Sequence, residues 1–293
     1  MKKFFIFGLV IFSLLSAASC FASTFTNDGM NLTIPEDIEA LLTVEVPEND
    51  ARGILFTVSE TESIEAAKKQ DAAWDGAGFL FSIGRASEKA MHEMLCNDMS
   101  GQIVFAGDGK GTYYVFYHPT DVRMVREDYQ DQEAIGRWTT LNEWAGTVRD
   151  SFIAENEGLT AEQHGNTVLD IDLARILYQE GTHYTVSTTE FGPIEAGKVD
   201  AAEFIKPLTE NVVYEIVDGE EAPDGEYVVL NFPEDDVRFD FFKMEGKENY
   251  VRQVWSQEQN EMLYKAVFAD ETIKASRIME ELYQAMVKAE NLK

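Results

Sequence analysis

Cysteine is nearly absent from this 293-residue chain, which has two, and prolines (seven) and histidines (four) are also few. Two cysteines, one of them in a leader segment, exclude a disulfide framework as the source of stability. His92, His118, His164 and His183 are scattered, and none sits in a spacing that supplies three or four zinc ligands. His92 and Cys96 stand four apart on an expected helix, but two ligands do not make a zinc site, and Cys96 replaces the second histidine of a zinc-protease motif. Basic residues are the third shortage. There are 24 against 53 acidic ones, a net charge of -29. So acidic a surface repels nucleic acid and anionic headgroups, which excludes nucleic acid as a partner; it reads first as a source of solubility outside the cell, with binding of cations or basic partners as the alternative. Beyond residue 22 no apolar run reaches the roughly 20 residues a membrane-spanning helix needs.

What is present begins with an export signal. Lys2 and Lys3 open the chain, an apolar run follows from Phe4 to Leu15, and small residues occupy positions 16–19. Residues 1–22 are expected to be removed, leaving 22 basic against 53 acidic residues, or -31. Cys20 has two open fates. It is discarded by cleavage after Ala22, or it becomes the acylated first residue of a lipoprotein anchored through Cys20. Ala17 stands where a lipobox most often has Leu. Either way the protein is expected to be exported, secreted or associated with the cell envelope.

The rest reads as α+β, with largely antiparallel sheets and flanking helices. Residues 23–35 lack periodicity and are expected to form a flexible leader. A first module spans 36–157 and a second spans 168–293, joined by the polar stretch 158–168. Strands are expected at 40–46, 53–58, 78–83, 102–105, 112–118 and 121–125 in the first module. Helices are expected at 63–73 and from Ser87 as an N-cap, and a third is announced by the capping box of Thr140 and Glu143. In the second module strands are expected at 174–177 and 183–187, followed by a helix near Asp200. Five strands between 212 and 268 and a closing amphipathic helix from 271 complete it.

The two modules share an order of parts. Tyr113 to Arg123 aligns with Tyr227 to Arg238, bringing Pro119 onto Pro233 and, after one inserted residue, Asp121 and Arg123 onto Asp236 and Arg238. The two modules are either related by duplication or alike only because two amphipathic hairpins coincide. The alignment also makes these four residues the candidate binding residues, because an Asp–Arg pair two apart on a strand shares one face. Such an arginine either clamps a carboxylate or phosphate, or simply pairs with its aspartate. No cofactor motif is found: the glycine-rich residues 107–111 lie between strands and read as a hairpin turn rather than a phosphate cradle. The acidic stretch 218–226 is rich enough in carboxylates to attract calcium but lacks the spacing of an EF-hand.

The stretch from Gly78 to Glu127 carries Phe-Ser-Ile-Gly-Arg, Leu-Cys-Asn-Asp-Met-Ser-Gly and His-Pro-Thr-Asp-Val-Arg. It resembles a group of uncharacterised exported bacterial proteins that share such segments. The resemblance implies an exported bacterial setting and assigns no activity or site residue. The function expected from the residues is that of an acidic, exported, non-catalytic binding or interaction protein. An extracellular hydrolase built on carboxylates and a calcium-stabilised surface protein are the alternatives.

Overall fold

The computed structural model describes residues 22–70, 76–195, 199–210, 212–255 and 260–291. The leader expected over 23–35 is instead a hairpin of β1 (Ser23–Asn27) and β2 (Met30–Ile34), turned at Asp28 and Gly29, both with positive φ. Alternation sends Leu32 and Ile34 into the core. The Asn156 side chain accepts from Asn31 N at 2.7 Å and donates to Asn31 O at 3.0 Å, which fixes the hairpin to the body of the protein.

A short helix α1 (Glu36–Glu39) leads into β3 (Leu42–Glu45) and β4 (Ile54–Glu60). Then come α2 (Thr61–Lys69), β5 (Phe79–Ser87), α3 (Glu88–Leu95), β6 (Gln102–Gly107) and β7 (Thr112–Tyr117). Long α4 (Gln132–Glu155) and the two-residue β8 (Thr160–Ala161) complete this part. The strands form an antiparallel sheet in the order β3-β4-β5-β7-β6-β8. One face packs on α4, whose Trp138, Leu141, Ala145, Val148 and Phe152 recur at three- and four-residue steps and are buried. The other face receives Met91 and Leu95 of α3 against Val104 and Val115.

Two expectations fail here. Helix α4 starts not at Thr140 but at Asp131, whose carboxylate accepts from Glu133 N and Ala134 N at 3.0 and 3.1 Å. Thr140 lies inside the helix, with its hydroxyl donating to Gly136 O at 3.1 Å. Residues 121–125 are not a strand, because no neighbouring strand pairs with them.

The chain continues through α5 (Val168–Tyr178), β9 (Thr185–Thr188), β10 (Ile194–Glu195) and α6 (Ala202–Ile205), which runs into a 3-10 turn at Lys206–Leu208. Next are β11 (Val212–Ile216), β12 (Tyr227–Phe232), β13 (Val237–Phe242), β14 (Tyr250–Trp255), β15 (Asn260–Phe268) and α7 (Ala275–Asn291). Their antiparallel sheet has the order β10-β9-β12-β13-β14-β15-β11. Phe239, Phe241, Val251 and Leu230 face Leu169 and Leu173 of α5 and Met279, Leu282 and Met286 of α7. The strand expected at 174–177 is therefore part of a helix. The aligned hairpins also part company: β6 and β7 are neighbours, whereas β11 pairs with β15 and β12 with β9 and β13.

The fold is α+β, with antiparallel sheets and flanking helices as expected. Its two sheets meet through helices: Ala174 of α5 is buried in the cluster that α3 makes on the six-stranded sheet. Among the described residues no helix is long and apolar enough to cross a membrane.

Candidate functional site

The four residues singled out from the sequence do not come together. Asp121 and Arg123 lie in the connection after β7, with Asp121 Oδ1 2.7 Å from Arg123 Nε. Asp236 occupies a turn at φ 55°, while Arg238 is on β13 and its Nε stands 3.3 Å from Asp240 Oδ1 rather than beside Asp236. The partner of Arg238 is thus two residues ahead, on the same strand face, not two behind. Cys20 lies outside the described residues. The glycine-rich 107–111 turn does join β6 to β7, with Asp108 accepting from Lys110 N at 2.7 Å and Thr112 N at 3.0 Å. In the acidic stretch, Glu220 and Glu226 lie 3.2 and 3.7 Å from Lys247 and Lys243.

Polar groups converge instead at the seam between the sheets. Ser87 caps α3 by accepting from Ala90 N, and the helix carries Glu88, Met91, His92 and Leu95 along one side. Opposite runs α5, begun by a capping box in which Thr167 and Asp170 exchange hydrogen bonds. The imidazole of His92 lies flat on the Tyr178 ring, with centroids 3.8 Å apart. On one side of this stack is a cavity of about 530 Å³, walled by Glu88, Tyr113, Glu162, His164, Asp170 and Glu210. On the other is an open hollow of about 700 Å³ reaching Glu93, Asn97 and Glu180.

Two glycines make room for the carboxylates of the first cavity. A Cβ on Gly107 would stand 2.8 Å from Glu162 Oε1, and one on Gly165 would overlap the carboxyl of Asp170. Glu162 is brought there by β8, whose ladder it extends by donating its N–H to Phe105 O at 2.9 Å. Asp170 accepts from Thr167 N at 2.8 Å and Thr167 Oγ1 at 2.6 Å. His164 Nε2 stands 3.5 Å from Glu162 Oε2, is buried, and has no hydrogen-bond partner. Lys206 reaches Glu210 at 3.3 Å at the mouth.

The electrostatics follow from burial of like charges. Desolvation raises the Glu162 carboxyl above its ordinary value, and Glu210 adds to the shift. Burial likewise raises Asp170, against the hydrogen bonds from Thr167. Burial lowers His164, partly opposed by Glu210, so the ring is neutral at neutral pH. The Tyr113 phenol is raised by burial and then by Glu162, Glu88 and Asp108; that of Tyr178 by burial and then by Glu210, among others. The negative charges therefore act on the same aromatic walls.

Beside the cavity, Arg175 ties the two sheets together. Its Nε donates to Cys96 O at 3.2 Å, and its Nη1 lies 3.0 Å from Asp172 Oδ1 and 3.2 Å from Asp235 Oδ2. Burial pushes Asp172 up to about 7, with Arg175 opposing. Cys96 is a free, buried thiol, raised by desolvation. Among the described residues no three His, Cys, Asp or Glu side chains are grouped to hold a metal ion.

Sequence reasoning missed this cavity because its residues are scattered from position 88 to 210 and share no motif. The one local signal was the capping box of Thr167 and Asp170, which also marks α5. No protein-family model, curated protein or solved structure matches this chain.

Proposed function

We propose that the chain is an exported, non-catalytic binding protein that holds a small ligand in the cavity between α3, α5 and β8. The observation that supports it most is His164 Nε2, a buried polar atom without a partner on the wall of an open cavity. Buried polar atoms are seldom left unsatisfied, and a ligand's polar group is one way to complete such a site. Tyr113, Tyr178, Met91 and Leu95 supply the apolar surface that a ligand's body needs.

A thermal-shift screen of small cationic, neutral and anionic compounds tests this reading. At least one should raise the melting temperature of the wild-type protein, since a ligand at about 100 times its Kd adds ~2.7 kcal/mol. The exposed Ala161 lines the cavity, so A161W fills it and should abolish the shift. If nothing binds, or A161W binds equally well, the cavity is not the site.

A second reading is favoured by one feature: Glu162 and Asp170 are two raised carboxyls in one cavity, as a carboxylate hydrolase requires. The two hydrogen bonds from Thr167 to Asp170 make it the weaker reading, since they commit that carboxyl to the helix end. Hydrolysis of a glycoside or ester panel that disappears in E162Q would establish it. Export rests on the leader, and the mass of the mature N-terminus tests it. Loss of 22 residues indicates secretion, and a lipid on Cys20 indicates anchoring.

A further inference from the structure

We infer that the ligand of this cavity is a small organic ammonium ion, a protonated amine on a short apolar body. The inference rests on the binding reading above and narrows it to one chemical class.

Four side-chain carboxylates line the cavity, those of Glu88, Glu162, Asp170 and Glu210, against a single ammonium, that of Lys206. Lys206 is spent on Glu210 at the mouth. Asp170 is occupied by Thr167. Glu162 is different. It is half-buried, no Lys or Arg among the described residues stands within ion-pair distance of it, and its neighbours are a neutral imidazole and the Glu210 charge. Desolvation makes that negative charge costly as it stands, and a cation delivered beside it removes the cost. The orphan Nε2 of His164, 3.5 Å away, can accept a second N–H from the same ammonium head in the tautomer that leaves it unprotonated.

The walls suit the rest of such a molecule. Tyr113 and Tyr178 present ring surface near the carboxylates, and aromatic rings attract organic cations. Met91, Leu95 and Ala174 give an apolar lining, so a bare inorganic cation would leave most of the cavity unfilled. A side chain at residue 107 would press on the flexible end of Glu162 and shift its carboxylate within the cavity.

Calorimetry on the purified full-length protein separates the outcomes, with n-butylammonium and tetramethylammonium as cationic probes. Butanol and butyrate serve as isosteric neutral and anionic probes, and calcium as the inorganic cation. Butylammonium should bind, and E162Q should weaken it about tenfold or more, as expected for loss of a charge-assisted hydrogen bond. G107A keeps every charge and displaces only the Glu162 carboxylate, so it should also weaken binding. E220Q, on the surface away from the cavity, should not. Circular dichroism and melting temperature confirm that each variant is folded.

Tighter binding of butanol or butyrate, abolished by A161W, would overturn the ammonium assignment and leave the cavity reading standing. Calcium binding without amine binding would also overturn it. Amine binding indifferent to E162Q and G107A would place the amine elsewhere and contradict the inference. Failure of all probes would refute the assignment, and the cavity reading falls with it only if the wider thermal-shift screen is also empty.

Discussion

Two of the places where this protein buries charge do so in opposite ways. At the junction of β4, α2 and the start of α4, Arg126 and Glu60 each have side chains only 2% exposed and form a bidentate pair at 2.6 and 2.7 Å. Ser63 Oγ, Val125 O and Ala134 O accept further hydrogen bonds from Arg126, and Ser63 Oγ accepts from Val125 N. Charge, donors and acceptors nearly balance there, and only Arg126 Nε lacks a hydrogen bond. In the seam between the sheets, Glu162, His164 and Asp172 are buried to varying degrees with charges or polar atoms left over. A satisfied network holds a connection in place; an unsatisfied one is chemistry awaiting a partner. The contrast is the ground for proposing the seam, rather than the Arg126 pair, as the place where a ligand binds.

The largest effect should come from breaking the satisfied pair. R126A leaves Glu60 buried alone and is expected to cost about 3–5 kcal/mol of stability. Urea denaturation measures it, and a cost below about 1 kcal/mol would show that the pair is not the fastener described.

Next in size is the pH dependence set by Asp172, which is buried, pairs with Arg175 and feels the charge of Asp235. Its folded value of about 7 lies above the ordinary 3.8. Between those pH values the folded protein keeps a proton that the unfolded chain releases, so the unfolded state gains as pH rises. The Asp172 contribution should therefore fall from pH 4 to 7 and stay level above, by at most about 4 kcal/mol. D172N should remove that slope. His164 works in the other direction. Being lowered by burial, it costs stability as pH falls below 6.5, because only the unfolded chain takes up the proton freely. An unchanged pH profile in D172N would contradict the assignment of the slope.

A smaller effect is expected from T167A, which removes the N-cap of α5 and loosens the hold on Asp170, for about 1 kcal/mol. The smallest should come from E162Q. Among the described residues Glu162 has no Lys or Arg partner, only the neutral His164 beside it, so its stability change should stay within ~0.5 kcal/mol. A loss of several kcal/mol in E162Q would erase the distinction between the two places.

How far the sequence discloses this depends on the range of the signals. Strands β12 to β15 were legible because polar and apolar residues alternate between well-marked turns, and α7 because its apolar stripe recurs at helical spacing. The hairpin of β1 and β2 was not recognised, although Asp28 and Gly29 are turn residues. What fixes it is Asn156, more than 120 residues away. Residues 174–177 of α5 read as a strand because they form a short mostly apolar run that suits either state. Thr140 and Glu143 imitate a capping box inside the 24-residue α4, where burial of Trp138 through Phe152 against the sheet overrides the local signal. The Asp–Arg correspondence was a likeness of words, not of pairing. Asp240, hidden from the alignment two residues beyond Arg238, is the partner that Arg238 has, and Arg252 also binds it at 2.7 Å. The cavity itself depends on Gly107 and Gly165 being small at two contacts that only the fold creates.

The measurement that bears most directly on the account is the affinity of n-butylammonium for the wild-type protein and G107A, compared side by side by calorimetry. Heat of binding in the wild type that weakens about tenfold in a folded G107A, in which no charge has changed, is the predicted result. Equal binding by the two proteins would show that the Glu162 carboxylate is not what the cavity offers its ligand.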